Sequence, residues 1–156
     1  MPISIREVRR DELQELVPLL LLAEPSESAL RWGLKNLSDT AYRMDDENQL
    51  VGAATMRWHR EPCEIMELAI AAGQQGRGLG RQFVLWLIEE GRRMGKRELF
   101  VGTSSTSVGN IIFYQKCGFR IDHIRHDYFR YYEEPPIEHG ITVRDMLVFR
   151  YQLTEA

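Results

Sequence analysis

The chain has 156 residues, a formal charge of −3 and 44% hydrophobic side chains, the balance of one globular domain over 1–156 with a sizeable core. No basic excess supports a general nucleic-acid binder, and the longest apolar stretch, residues 17–23, is too short to cross a bilayer and contains Pro18. Two cysteines, Cys63 and Cys117, give no disulfide framework, and with no apolar signal core after Met1 a reducing, cytoplasmic setting is expected.

Ile3, Ile5 and Val8 predict a short first strand. Asp11 is placed to cap a helix whose apolar residues Leu13, Leu16, Val17, Leu20 and Leu21 recur at helical spacing, with Pro18 set to kink or shorten it. After the break at Glu24-Pro25-Ser26, Ser26 or Ser28 can cap a second helix through Leu30, Leu34 and Leu37, with Trp32 available for burial. Residues 40–44 and 49–57 read as a hairpin around the turn Asp45-Asp46-Glu47-Asn48, and 64–70 extends it to an antiparallel meander. The loop Gln75-Gly76-Arg77-Gly78-Leu79-Gly80-Arg81 follows. It opens a helix with Leu79, Phe83, Val84, Leu87, Ile88 and Gly91 along one face.

Residues 99–102 form a short buried strand, parallel to 64–70 because a strand–helix crossover joins them. A polar loop, 103–107, leads to a helix over 110–116 that Gly118 stops. A strand over 119–124, an aromatic and acidic connection over 127–140 and a last strand over 142–151 complete the chain. The fold class is α+β: one domain with a central mixed sheet of about seven strands flanked by about four helices.

Strand, glycine loop and helix make a seat for a phosphate. Glycine lets the backbone approach closely, and the helix offers free N–H groups and its positive end. A Walker loop is excluded, since no lysine and hydroxyl follow the glycines; a dinucleotide fingerprint started at Gly76 ends on Arg81 instead of glycine. The antiparallel meander also speaks against a Rossmann half.

Gln75-x-x-Gly78-x-Gly80 and the run Asn110-Ile111-Ile112-Phe113-Tyr114-Gln115-Lys116-Cys117-Gly118-Phe119 resemble the two signatures of the GNAT superfamily of acyl-CoA-dependent N-acetyltransferases, in order and on the matching elements. The resemblance covers nearly the whole chain and is weakest in the N-terminal helices and 127–140. It implies a GNAT-like fold, acetyl-CoA as acyl donor, no metal, and direct acetyl transfer to a primary amine of unknown identity, a small molecule being favoured over a protein. The alternative is a non-catalytic sensor or interaction module that binds CoA or acyl-CoA.

By the same resemblance, the pyrophosphate rests on the N–H groups of Gly76, Arg77, Gly78, Leu79, Gly80 and Arg81, just after Gln75, with charge from Arg77 and Arg81. The pantetheine arm pairs with the backbone of Leu68, Ala69 and Ile70, which requires the strands at 64–70 and 99–102 to splay. A strand N–H such as that of Ile70 would face the developing oxyanion. Tyr114 falls where the family places the acid for the leaving thiolate; without the motif it reads as a buried aromatic. Glu64 is the favoured base and Glu67 the second choice, because strict alternation turns the two to opposite faces and only one would face the cleft. Asn110 is either a cofactor contact or a helix N-cap, and Lys116 either reaches a CoA phosphate or is a solvated lysine.

Tyr128, Phe129 and Tyr131, with Glu133 and Glu134 nearby, could line an amine pocket through cation–π contacts or cover a homodimer interface. His123-x-x-His126 does not set two imidazoles on one face of a strand and is not promoted to a metal site.

Overall fold

The computed structural model describes residues 2–154. Its elements in chain order are β1 (Ile3–Glu7), α1 (Leu13–Leu20), α2 (Glu27–Asn36), β2 (Thr40–Asp46), β3 (Gln49–Arg57), β4 (Cys63–Ile70), α3 (Leu79–Arg93), β5 (Glu98–Ser104), α4 (Val108–Lys116), β6 (Arg120–Arg125), β7 (Ile137–Glu138), β8 (Ile141–Thr142) and β9 (Met146–Gln152). Among the described residues the main sheet has seven strands in the order β1-β2-β3-β4-β5-β9-β6, and β7 with β8 forms a small separate hairpin. Every neighbouring pair in the main sheet is antiparallel except β4 and β5, the pair that the α3 crossover joins. No described helix is long and apolar enough to cross a membrane.

Two apolar layers cover the sheet. Leu79, Phe83, Val84, Leu87 and Ile88 of α3 and Tyr114 of α4 pack with Met44, Met56, Ile65 and Val101. Leu16, Val17, Leu19 and Leu20 of α1 and Leu30 of α2 pack with Ala41, Ala53 and Ala69. The buried face of α3 contains all six residues that its 3.6-residue period marks. At β2–β3, Glu47 and Asn48 both take positive φ, 49° and 71°, the two-residue turn whose twist suits a hairpin.

Three local expectations need correction. Asp11 lies inside a 3-10 turn, Arg10–Glu12, and the Arg9 N–H is met instead by Glu12, at 2.8 Å. The polar stretch therefore tightens before α1 begins at Leu13. Trp32 is 59% exposed, because α2 turns Leu30 to the core and leaves Trp32 on the wall of an open cleft. Asn110 is not the N-cap of α4, which Ser107 precedes. Ser26 does cap α2, accepting from Ala29 N at 3.2 Å.

Candidate active site

The sheet opens at one place. β4 and β5 pair over only three positions, Cys63–Leu99, Glu64–Phe100 and Ile65–Val101. Both strands continue, but each then follows its other neighbour: β4 stays on β3 through Ile70, and β5 stays on β9 through Ser104. Among the described residues, the backbone of β4 beyond Ile65 thus has an edge with no strand partner on the β5 side. Unpaired backbone groups of that kind receive an extended ligand as an added strand. A cleft of about 1370 Å³ occupies the opening and is lined by residues 64–70 of β4 and 101–104 of β5. The splay implied for Leu68, Ala69 and Ile70 is present.

The glycine loop closes one end of this cleft. Gly76 and Gly78 have φ of 85° and 78°, a conformation that costs other L-residues about 1–2 kcal/mol. Gly80 has another reason to be glycine: a Cβ there would stand 3.3 Å from the Phe113 ring of α4. Gln75 ties the loop back to β4, its side-chain amide donating to the Ile70 carbonyl at 3.1 Å. The first backbone bond of α3 runs from Gln82 N to Gly78 O at 3.1 Å, so the N–H groups of Leu79, Gly80 and Arg81 precede the helical ladder. Gly76, Gly78, Leu79, Gly80 and Arg81 line the cleft. Arg77 does not: its guanidinium turns to Asp46, at 3.1 Å.

From β4, both Glu64 and Glu67 line the cleft. The reason is a bulge. Thr55 faces Glu67, but the next residue of β3, Met56, faces Ile65, which leaves Met66 as an extra residue. The extra residue resets the alternation. Cys63, Ile65, Leu68 and Ile70 pack on the α3 side, while Ala69 packs on the α1 side. The expectation that only one of the two glutamates faces the cleft is therefore wrong.

Their surroundings differ. Glu64 is held by Arg125 at 3.4 Å. Glu67 has no cation among its described partners and accepts from the Thr55 hydroxyl. Burial pushes the Glu67 carboxyl up to about 7, against the Thr55 hydrogen bond and with help from Glu24 and Glu64. Tyr114 sits on α4, buried against Phe113, Phe119 and Phe149, and lines the cleft. Burial raises its hydroxyl above the ordinary range, so it keeps its proton. Asn110 also lines the cleft and donates to the Thr103 hydroxyl at 3.2 Å. Lys116, exposed at the far end of α4, is not brought to the cleft.

The opposite end is aromatic. Tyr128, Phe129, Tyr131 and Tyr132 line it, with Tyr131 and Tyr132 stacked at 4.5 Å between centroids. The segment therefore faces the cleft. Sequence reasoning missed the carboxylates that organise this end. Glu24 accepts from Tyr131 at 2.7 Å and from the Tyr132 hydroxyl. Glu138 accepts from Thr106 and Ser107, both at 2.9 Å, and so fastens the β7–β8 hairpin to the start of α4. Neither partnership leaves a local pattern, since the groups lie 107 and 32 positions apart.

Comparison with known proteins gives the following. The model of the Acetyltransferase (GNAT) family matches residues 4–119. The uncharacterized N-acetyltransferase YvbK of Bacillus subtilis (strain 168) is 35% identical over 143 residues, 90% of this chain and 91% of that protein. The IAA acetyltransferase from Bacillus cereus ATCC 14579 superimposes with a TM-score of 0.86 at 32% identity, covering 97% of this chain and 99% of that one. A GNAT family acetyltransferase from Elizabethkingia anophelis with acetyl-CoA bound gives 0.84 at 30% identity, covering 96% and 97%. A Bacillus subtilis acetyltransferase in complex with CoA gives 0.82 at 35% identity, covering 97% and 98%.

Proposed function

This chain belongs to the GNAT acetyltransferase family, and from that premise we propose that it moves an acetyl group from acetyl-CoA directly to a primary amine. The observation that carries the reading is the divergence of β4 and β5 after Ile65, beside the glycine loop and with Glu67 in the same cleft. The loop N–H groups and Arg81 bind the pyrophosphate. The open edge at Leu68, Ala69 and Ile70 takes the pantetheine arm as an added strand, which presents the thioester to the middle of the cleft.

An alkylammonium with an ordinary pKa near ~10.4 is mostly protonated at neutral pH and cannot attack. Glu67 takes the proton. A carboxyl that titrates at about 7 matches the operating pH far better than an unshifted one. Glu64, already compensated by Arg125, positions and balances charge. The amine nitrogen bonds to the carbonyl carbon, an N–H of the open β4 edge meets the oxyanion, and the carbon–sulfur bond breaks. Tyr114 protonates the departing thiolate, and the second proton that the nitrogen sheds on becoming an amide restores the tyrosine hydroxyl. Free, buried Cys63 and Cys117 suit a reducing, cytoplasmic setting.

Incubation with acetyl-CoA and a panel of primary amines, following release of the CoA thiol, tests this. Amine-dependent release supports transfer. Tight CoA binding with no release for any amine would leave a binding module.

A further inference from the structure

The charges of the acceptor end are unbalanced in a way that the transfer chemistry does not require. Glu64 has Arg125 as its counter-ion. Glu24, Glu67 and Glu138 also line the cleft, and their described partners are hydroxyls and one backbone N–H, not cations. Glu67 is accounted for by the base role and Glu138 by its clasp on Thr106 and Ser107. Glu24 also clasps, holding Tyr131 and Tyr132, but it has no part in the transfer chemistry.

Glu24 is nevertheless built into place. It sits half-buried between α1 and α2, and three donors converge on it: Ser26 N at 3.2 Å, the Tyr131 hydroxyl at 2.7 Å and the Tyr132 hydroxyl. A carboxylate offers about four lone-pair sites, so one acceptor position remains. The rings around it form a stacked group: Tyr131 on Tyr132 at 4.5 Å between centroids and Phe129 on Tyr132 at 6.2 Å. A carboxylate with an open acceptor position, no cation among its described partners and an aromatic cleft wall beside it is a seat for an ammonium group. Glu24, Glu67 and Tyr128 all line the same cavity. One carboxylate can relieve a reacting ammonium of its proton while the other keeps hold of a second.

Resting on the acetyltransferase reading, we propose that the acceptor is a small amine with a second, distal cationic group, of the alkyldiamine class, and that Glu24 with Tyr131 and Tyr132 holds that distal charge. The distal group stays protonated and fixes the molecule lengthwise, with its other nitrogen at Glu67.

The test is matched acceptors with acetyl-CoA. Putrescine and cadaverine carry the second charge, n-butylamine and n-pentylamine lack it, and γ-aminobutyrate reverses it. The diamines are expected to exceed the monoamines in kcat/KM by about 10-fold or more, the equivalent of one ammonium contact of about 1.4 kcal/mol. Glu24→Gln should collapse that ratio to near one. Glu24→Lys should move the preference to γ-aminobutyrate, which a variant that had only lost its fold would not do. Monoamines used as well as diamines, or a ratio unchanged in Glu24→Gln, would overturn the inference while leaving the transferase intact. No turnover of any amine, with CoA still bound, would remove both.

Discussion

Thr55 and Glu67 face each other across β3 and β4, and one step later the register slips, so that Met56 faces Ile65 and Met66 stands out of the ladder. That slip brings Glu67 into the cleft that Glu64 already lines. It also buries the Glu67 carboxyl beside a hydroxyl instead of a guanidinium. A bulge next to a reactive group re-aims a side chain without changing the strand's partners.

The kinetic consequence separates the two glutamates. Glu67→Gln should lower kcat by about 10²–10³, the worth of a positioned base. In the parent, kcat/KM should rise with pH through about 7 as Glu67 loses its proton, and the variant should lose that limb. Glu64→Gln should keep the limb. A pH–rate profile for all three proteins decides it, and a limb that vanishes with Glu64 instead would assign the base to Glu64.

The same shift makes a stability prediction of opposite sense. The folded state raises the Glu67 carboxyl from 4.5 to about 7, so it binds the proton more tightly than the unfolded chain does. Its favourable contribution is complete below pH 4.5 and is lost as pH rises through 7. The loss is on the order of 3 kcal/mol. Glu67→Gln should therefore be more thermostable than the parent at pH 8 and little different at pH 4.5. Thermal melts at both pH values check this, and an equal gain at both would mean that the effect is packing.

Two arginines flank the glycine loop, and only one lines the cleft. Arg81→Ala should weaken CoA binding about 10-fold, as for loss of a charged hydrogen bond to phosphate. Arg77 is engaged with Asp46 at 3.1 Å, an exposed pair worth about 0–1 kcal/mol, and Arg77→Ala should change CoA affinity less than about 3-fold. Calorimetry at low and moderate salt should show the Arg81 effect shrinking with ionic strength.

Much of the molecule is legible in the sequence, and the rest has a common reason for being hidden. The α3 face, the β2–β3 turn and the glycine loop are local patterns, set by a helical period or by residues that tolerate positive φ. The bulge at Met66 is not local. It depends on which residues of β3 lie opposite, and no glycine marks it. The divergence after Ile65 likewise follows from the prior claims of β3 and β9 on the two strands. Glu24 reads in sequence only as the end of a helix, because its tyrosine partners lie more than a hundred positions away.

The tight approach of α3 and α4 gives the last prediction. A Cβ on Gly80 would meet the Phe113 ring at 3.3 Å and Ile70 at 3.7 Å, so a larger residue must push α4 away. Gly80→Val should cost about 1–3 kcal/mol of stability, as overpacking does. Because Asn110 and Tyr114 ride on α4, it should also lower kcat more than the stability loss alone explains. Gly33→Ala serves as the contrast. Gly33 lies inside α2, where an added Cβ would meet nothing within 4 Å, so alanine should stabilise by about 0.5–1 kcal/mol through helix propensity. Melts together with acetyl-transfer rates for the two variants test the geometry: if Gly80→Val turns over at the parent rate, α4 tolerates displacement and Tyr114 does not need its present position.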